Sequence, residues 1–334
     1  MTRVLLTGAT GVLGSELLTS LRARPGVELV AISRRGDPGR GVLRWRLGAE
    51  PPPEGLGRRF DAVVHAAAST RWNQEPEEAW EANVRSTEAV LDVAADAHLV
   101  HISTAFAIGL RGDTSSDRPA DYRNSYEWSK AAAERLVARH GRCTVIRPPL
   151  IIGRRADGRV ARFSGLYTFA RAALSGLAPA LVGEPKGTVE MVAVDDVATA
   201  VNAALEAGPP AGAAPIVLGA GPRALSTEDL VDVSYRALNG WRARNGASRL
   251  APPPIISTER WERFFLPFAR TTLTGRQLRV IELLSEFVPY MSMADPPKPT
   301  MIVPPVHEIL GRAFTFWAES NPRAALAEPR PWAA

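Results

Sequence analysis

A tyrosine and a lysine four residues apart, Tyr126 and Lys130, have side chains that could carry out proton transfer. This spacing puts both side chains on one helical face, one turn apart. An ammonium beside a phenol favours the phenolate, so we expect a pKa for Tyr126 below its ordinary value of about 10. Such a phenol can donate and accept a proton near neutral pH. Because the spacing is common by chance on solvated helices, the pair needs support from the rest of the chain.

The segment from about Ser125 to His140 has the signals of a helix that would present this pair. Ser125 is the predicted N-cap, alanines at 131–133 favour helix, and Gly141 is a C-terminal stop.

Two hydroxyl residues, Ser103 and Thr104, follow the apolar run Leu99–Ile102, which predicts a buried strand. In a doubly wound sheet the carboxyl ends of the strands face the ligand crevice. We therefore expect these hydroxyls, about 22 residues before Tyr126, to reach the same substrate carbonyl as the phenol.

The chain opens with a strand, a glycine-rich turn and a helix, the order that a dinucleotide-binding site needs. An apolar run at Arg3–Thr7 precedes Gly8, Gly11 and Gly14, and leucines at helical spacing follow in 15–24. These glycines allow a tight turn, close approach of backbone amides to a pyrophosphate, and close helix–strand packing. The predicted cofactor contacts in this turn are Thr7, Gly8, Thr10, Gly11, Val12, Leu13 and Gly14.

The end of the second predicted strand, Val27–Ile32, bears on which dinucleotide binds. Ser33, Arg34 and Arg35 follow it, without the carboxylate that would hold the ribose hydroxyls of NAD. An arginine there can pair bidentately with a 2′-phosphate. The sequence therefore favours NADPH over NADH, with Arg34 and Arg35 as contacts.

Further cofactor contacts are predicted after two other strands. Small residues following the strand at 61–64 leave room for the adenosine half, and tight packing would explain them equally well. Pro148 and Pro149, after the strand Cys143–Ile146, fix an extended backbone with free carbonyls beside the nicotinamide position. The predicted contacts here are Ala66, Ala67, Ala68, Ser103, Pro148 and Ile151, together with Tyr126 and Lys130.

Composition narrows the classes of protein to consider. The 334 residues have apolar and charged fractions typical of a soluble globular protein, without the long apolar run of a transmembrane helix. The N-terminal apolar run breaks into the glycine turn, unlike a signal peptide. The single cysteine, Cys143, lies in an apolar run and predicts a buried thiol in a reducing, cytoplasmic protein.

The pI of 9.8 raises the question of nucleic-acid binding. Only Lys130, Lys186 and Lys298 are lysines, so 37 of the 40 basic residues are arginines, and they are spread along the chain. A nucleic-acid surface would concentrate them in a stripe with aromatic residues. We therefore expect no nucleic-acid partner, and the five histidines lack the spacing of metal ligands.

Taken in order, these motifs resemble the extended short-chain dehydrogenase/reductase family. Finer strings are similar to its fatty acyl-CoA reductase and thioester reductase branch, of the male-sterility-type NAD-binding kind. The strings are Ala67–Trp72 after His65, Ser103–Phe106, and Tyr126–Glu134. The matched motifs span some 200 residues, namely the glycine turn, His65–Ala68, Asn83, His101–Thr104, Tyr126 with Lys130, Arg147–Gly153 and Val192–Ala198.

The resemblance implies a Rossmann-type α/β fold, a doubly wound parallel sheet with a smaller, mainly helical C-terminal substrate domain. The predicted NADP-binding domain is 1–153, completed by about 188–220, and the substrate-binding or lid region is 154–187 with 221–330. The segment 154–187 looks like a helical insertion of the substrate domain, with Phe163, Leu166, Tyr167, Phe169 and Leu177. Aromatic residues in 260–290 suit either an apolar substrate or an ordinary core, with a membrane-surface helix as a weaker alternative. They are Trp261, Phe264, Phe265, Phe268 and Phe287.

The resemblance also implies a reaction, the NADPH-dependent reduction of an acyl-CoA or carrier-bound acyl thioester to an aldehyde or alcohol. Tyr126 would donate the proton and Thr104, with Ser103 behind it, would bind the substrate oxygen. Lys130 would hold the nicotinamide ribose, supported through water by Asn83.

Three alternatives remain open. The first two are an enzyme acting on a ketone or alcohol of the steroid type, and a nucleotide-sugar epimerase or dehydratase. The third is a non-catalytic NADP sensor, disfavoured because the chain keeps Thr104, Tyr126 and Lys130. Two departures from the family matter: Ala107–Gly109 lacks the tyrosine usual in epimerases, and Arg46–Gly48 replaces a Gly-Asp pair that binds adenine. A homodimer is compatible with the sequence.

Overall fold

The computed structural model describes the chain apart from residues 58, 169–170, 172–179, 211, 213, 276, 279–280, 282–284, 286 and 329–334. Two residues named above for the helical insertion, Phe169 and Leu177, therefore lie outside the described residues. The chain divides into two compact units. The first is Met1–Pro149, Val194–Leu218 and Pro299–Ile302, and the second is Leu150–Ala193, Gly219–Lys298 and Val303–Ala334.

An eight-stranded sheet forms the core of the first unit, in the order β14-β11-β6-β5-β4-β1-β2-β3. The neighbouring pairs from β3 through to β11 are parallel. Two successive strands, β3 and β4, lie on opposite sides of β1, which makes a switch point of the kind where nucleotides bind. The strands are β1 (Thr2–Thr7), β2 (Val27–Ser33), β3 (Val42–Arg44), β4 (Ala62–His65), β5 (His98–Ile102), β6 (Cys143–Arg147), β11 (Ile216–Gly219) and β14 (Met301–Ile302).

The helices of the first unit alternate with these strands, as the predicted fold requires, and the Rossmann-type α/β fold is confirmed. Among the described residues, no helix has both the length and the apolar character needed to cross a bilayer. The helices are α1 (Val12–Arg22), α2 (Pro76–Ala79, the π-helical turn Trp80–Arg85 and Ser86–Ala94), α3 (Ser125–Val137) and α4 (Val194–Ala207).

Helix α3 differs in one detail from the prediction. Its N-cap is Asn124, whose side chain accepts a hydrogen bond from the amide of Glu127, at 3.0 Å. Ser125 is instead the first helical residue, and its hydroxyl donates to the carbonyl of Gln74, at 2.7 Å. Both residue types cap helices well, so a preference scale does not separate them. The predicted stop is confirmed, since Gly141 has a left-handed φ of 73°.

The second unit contains short strands, paired β7 with β10, β9 with β12 and β8 with β13. Their bounds are β7 (Leu150–Ile152), β8 (Leu181–Val182), β9 (Thr188–Val189), β10 (Met191–Ala193), β12 (Leu225–Ser226) and β13 (Ile255–Ile256). Its helices are α5 (Thr227–Arg244), α6 (Thr258–Arg260, the π-helical turn Trp261–Phe265 and Leu266–Thr272), α7 (Val288–Met291), α8 (His307–Ser320) and α9 (Pro322–Leu326).

The part of the later chain that completes the first unit begins at Val194, because the strand before it, β10, pairs with β7 in the second unit. The first unit also contains β14, an edge strand too short to leave a periodic signal in the sequence. In the second unit, a capping box of Ser226 and Asp229 opens α5, and Trp241 near the end of that helix packs into a core with Trp317.

Candidate active site

The glycine-rich turn lies between β1 and α1, and its glycines let neighbouring backbone segments pack closely against it. Gly8 has a φ of +72°, and a Cβ there would come within 2.7 Å of the backbone of Ala66. A Cβ on Gly14 would collide with the carbonyl of Gly8. Helix α1 has Gly11 as its N-cap and no acidic residue in its first turn. Its exposed amides and positive dipole end therefore fit a pyrophosphate.

The other residues predicted around this turn lie at the same edge of the sheet. Thr7 is the buried last residue of β1, and its hydroxyl accepts a hydrogen bond from the amide of Ala67, at 3.2 Å. This bond ties the loop after β4 to the turn after β1. The remaining predicted contacts lie along these two loops: Leu13 is buried, Thr10, Val12, Ala66 and Ala67 are half-buried, and Ala68 is exposed.

Arg34 and Arg35 follow β2 and are both exposed. Just before them, Ser33 is 4% exposed, and its hydroxyl has no hydrogen-bond partner among the described residues. Ser103, at the end of β5, has an unpartnered buried hydroxyl of the same kind. Buried polar atoms are normally bonded, so two such hydroxyls at the ligand edge of the sheet fit a group that binds there.

Tyr126 and Thr104 meet as the sequence predicts. Thr104 caps the short turn after β5 and is 3% exposed. The phenol of Tyr126, in the first turn of α3, lies close enough to the Thr104 hydroxyl for that hydroxyl to lower its pKa. The two residues come from different elements, and they meet because α3 packs on the turn that follows β5. Their hydroxyls can therefore bind one substrate oxygen between them.

The expected lowering of the Tyr126 pKa is wrong. Burial raises the pKa of Tyr126 to about 12, and the opposing effect of the neighbouring Thr104 hydroxyl is smaller. The ammonium of Lys130 is not directed at the phenol, because its Nζ donates to the carbonyl of Ile102, at 2.7 Å. Burial also lowers the pKa of Lys130 to about 8, against the opposing effect of Glu134. Desolvation outweighs the charge pairing that the spacing suggested.

Asn83 lies in the π-helical turn of α2, a distortion that is frequent at functional sites. Its side-chain oxygen accepts from the amide of Ser69, at 2.7 Å, and its Nδ2 donates to the carbonyl of Ser69, at 3.1 Å. The same Nδ2 donates to the hydroxyl of Ser129, at 2.9 Å. Asn83 thus joins the loop after β4 directly to α3, beside Lys130. The predicted link to Lys130 through water stays a prediction.

Pro148 and Ile151 fall on opposite sides of the unit boundary. The carbonyl of Pro148 accepts a hydrogen bond from the amide of Ala105, at 2.9 Å, so it is not free as expected. That bond holds the chain beside Thr104 against the end of β6. Ile151 lies in β7 of the second unit and is half-buried, and its contact with the cofactor stays a prediction.

A row of three buried side chains crosses the sheet near this site and was not predicted. Thr7 is in register with His65, and His65 with His101, across the parallel strands β1, β4 and β5. In-register neighbours point to the same face of a sheet. Each residue lies at or next to the end of an apolar strand, a signal that alignment of the strand ends would have revealed. The sequence analysis placed both histidines in matched motifs and excluded them as metal ligands, but it gave neither side chain a role.

His65 is a fully bonded, neutral member of that row. Thr87 donates its hydroxyl hydrogen to the carbonyl of Asn83, at 2.7 Å. It must therefore accept from Nε2 of His65, at 3.0 Å. Nδ1 of His65 then accepts from the hydroxyl of Thr7, at 2.8 Å. Burial, aided by the charge of Lys130, lowers the pKa of His65 to about 3.

A second contact missed by sequence reasoning anchors α3 to the sheet. Arg147, at the end of β6, donates through Nε to Glu134, at 2.9 Å, and both side chains are buried. Glu134 lies one turn after Lys130 on α3. A buried ion pair with several hydrogen bonds fixes orientation even where it adds little net stability. The pair therefore sets where α3 presents its catalytic face.

Comparison with known proteins agrees with this description. Residues 53–201 match an NAD-binding family model described as male sterility protein. The 4-hydroxy-2-methyl-3-oxo-4-farnesyl-3,4-dihydroquinoline-1-oxide ketoreductase of Stigmatella aurantiaca is 34% identical, over 45% of this chain and 51% of that protein. The nonribosomal peptide synthetase inpA of Emericella nidulans is 29% identical, over 46% of this chain and 14% of that protein. The matched region thus spans about half of the first relative and a small part of the second.

Among solved structures, the terminal R domain from the myxalamid PKS-NRPS biosynthetic pathway is similar with a TM-score of 0.68. That similarity covers 99% of this chain and 93% of the R domain at 19% sequence identity, which is evidence of a shared fold. Over residues 53–201 the resemblance drawn from the motifs is confirmed, since this region matches the NAD-binding model described as male sterility protein. Over nearly the whole chain, the fold is that of the R domain.

Proposed function

We propose that the protein is an NADPH-dependent reductase that converts an acyl thioester to an aldehyde or alcohol, with Tyr126 as the proton donor. The proximity of the Tyr126 phenol to the Thr104 hydroxyl carries the proposal. Two hydroxyls that converge on one point can hold the oxygen of a reducible carbonyl and stabilise the negative charge it gains. They lie at the carboxyl edge of the sheet that also bears the glycine-rich turn.

The dinucleotide, when bound, supplies the hydride. Gly8, Gly11 and the start of α1 would hold its pyrophosphate, and Lys130 its nicotinamide ribose. Arg34 and Arg35 would pair with a 2′-phosphate, which is the reason for proposing NADPH rather than NADH.

The resting state of Tyr126 suits reduction. With a pKa of about 12, its phenol holds its proton at neutral pH and is ready to donate. Hydride addition to a thioester carbon with proton transfer from Tyr126 gives a hemithioacetal. The carbon–sulfur bond of that intermediate then breaks, releasing the aldehyde and a thiol. Thr104 stabilises the oxygen anion during the first step.

The thioester substrate is supported by likeness to other proteins. The matching family is the male sterility type, and the relatives include a nonribosomal peptide synthetase and a terminal R domain. A small-molecule acyl group bound to coenzyme A or to a carrier is therefore the first candidate. The second unit is the proposed substrate-binding region. The ketoreductase relative favours a second candidate, a ketone, whose reduction by NADPH could use the same side chains, Thr104, Tyr126 and Lys130.

A substrate screen tests the proposal. The protein is mixed with NADPH and a medium- or long-chain acyl-CoA, an acyl-cysteamine thioester or a ketone, and absorbance at the nicotinamide band is followed. We expect NADPH consumption with thioesters, together with release of aldehyde and free thiol. Turnover of ketones without any thioester would reject the thioester substrate and support the second candidate. A tightly retained dinucleotide with no net consumption would instead indicate an epimerase.

The cofactor preference has its own test. Arg34→Ala and Arg35→Ala should each raise the KM for NADPH about tenfold and leave that for NADH nearly unchanged, because a charge-assisted bond to the 2′-phosphate is lost. Arg40→Ala is the matched control, an exposed arginine a few residues further along the same loop. Equal effects on both cofactors would contradict the assignment.

A further inference from the structure

His101 is buried beside Lys130 and has no role in the reaction described above. It is 0% exposed, and its Nε2 lies 3.4 Å from Nζ of Lys130. Its Nδ1 has no hydrogen-bond partner in the part of the chain that the structure describes. Burying an unbonded polar atom costs stability, so such an atom calls for an explanation.

A comparison with His65 indicates why the His101 imidazole is buried at this position. Both imidazoles lie in the same row on the sheet, with ring centroids 5.3 Å apart. His65 uses both of its nitrogens for threonine hydroxyls. His101 has an amine as its partner instead. The two threonine bonds of His65 explain its burial as a structural residue. His101 instead contacts Nζ of Lys130, a side chain of the candidate site.

We propose that His101 is a positioning residue for Lys130, whose neutral imidazole accepts a hydrogen bond from Nζ and keeps the amine protonated. Together with the carbonyl of Ile102, it takes two of the three ammonium hydrogens. One hydrogen is left for the cofactor ribose. The consequence for catalysis rests on the proposed function, but the contact itself does not.

The other ionisable groups around Lys130 stabilise its ammonium only weakly, so one hydrogen-bond acceptor can change its pKa. From its own helix, Glu134 favours the ammonium, but Arg147 on β6 pairs with that carboxylate. From β4 and β5, His65 and His101 have lowered pKa values owing to burial and are neutral near pH 7. Tyr126, also on α3, keeps its proton at that pH. Burial of Lys130 opposes its charge, so loss of one acceptor should release its proton at lower pH.

The small number of lysines makes a direct test practical. Protein labelled with ¹³C at lysine Cε should give three resonances, from Lys130, Lys186 and Lys298, and Lys130→Met assigns the first. We expect His101→Phe to lower the titration midpoint of Lys130 by about 1 pH unit. His101→Gln places an amide near the position of Nε2 and should restore most of the shift. An unchanged midpoint in folded His101→Phe would overturn the proposal.

Two controls keep this test decisive. His98→Phe changes another buried histidine of β5, one that bonds Thr144 rather than Lys130, and should leave the Lys130 midpoint unchanged. If His101→Phe does not fold, His101→Gln and His101→Asn are compared, because the shorter asparagine cannot reach the Nε2 position. Equal midpoints in those two variants would also overturn the proposal.

Kinetics supply the functional readout. An ammonium is needed at Lys130, so activity falls as pH rises through its pKa. The alkaline limb of kcat/KM should therefore move to lower pH by the same amount in His101→Phe, and return in His101→Gln. If the titration midpoint of Lys130 moves while the alkaline limb of kcat/KM does not, the proposed effect of His101 on catalysis is contradicted. If no substrate is reduced at all, the proposed function fails, while the ¹³C titration still decides the contact.

Discussion

Two regions of this protein have features that lower its folding stability, one by burying polar groups and the other by exposing aromatic rings. In the first unit, Thr104 and Lys130 bury polar groups, at 3% and 2% exposure. In the second, α6 leaves Phe264 and Phe268 70% and 60% exposed, along an open groove that Arg260 also lines. Burying an amine costs free energy, and exposing a ring forgoes the gain of burial. The buried groups have partners that define a reaction, whereas the exposed rings define only a surface that can bind something apolar.

The largest expected effect tests whether the buried cluster is a reaction centre. Tyr126→Phe removes the proton donor and should lower kcat by about 10²–10⁴-fold with little change in cofactor affinity. Tyr122→Phe is the control, since that buried tyrosine donates to the carbonyl of Ser116 and accepts from Arg135. Stopped-flow oxidation of NADPH measures both variants. Near-normal turnover by Tyr126→Phe would show that the cluster is structural.

Acid should weaken the first unit, mainly through the two fully buried histidines of the site, His65 and His101. The folded pKa of His65 is about 3, and that of His101 is also well below 6.5. Between these values and 6.5 only the unfolded state takes up the protons, so stability is lost as pH falls. From pH 6 to pH 5 the free energy of unfolding should drop by about 2–3 kcal/mol. Urea unfolding at pH 8, 7, 6 and 5 measures this loss. In His101→Gln the free energy of unfolding should fall with decreasing pH about half as steeply.

Lys130 should likewise make the protein more stable as pH rises, but in the alkaline range. Its folded pKa of about 8 lies below the ordinary 10.5, so its burial destabilises the protein at neutral pH. That penalty fades as pH rises from 8 to 10.5. Lys130→Met should therefore be inactive yet more stable at pH 7, by about 2 kcal/mol after the lost bond to Ile102. A less stable variant would mean that the buried amine supports the fold.

The smallest expected effect concerns the exposed rings. Phe264→Ser and Phe268→Ser should change stability by no more than about 0.5 kcal/mol, because little apolar area is lost from the interior. Trp261→Ala, on the same helix, is the contrast. That ring is buried and stacks on Phe265 at 4.4 Å, so its loss should cost about 3–5 kcal/mol. A raised KM for long-chain but not short-chain thioesters would assign the rings to substrate binding.

Much of the first unit follows from local pattern. Apolar runs ending in glycine or hydroxyl residues predicted β1 and β5, and the spacing of Tyr126 and Lys130 predicted their shared helix. The meeting of Tyr126 with Thr104 followed from one topological rule about strand ends. The second unit was less predictable, because its strands of two or three residues are too short for periodicity and form only through tertiary contacts.

The sequence by itself determined the order of strands and helices, the glycines that a close-packed turn requires, and which side chains could share a substrate oxygen. Only the tertiary structure decided the register of Thr7, His65 and His101, the partners of Asn83, and the direction of the Tyr126 pKa shift. The reason is physical. Helix and strand patterns depend on neighbours in the chain, whereas desolvation and hydrogen bonding depend on whichever atoms the fold brings around a group.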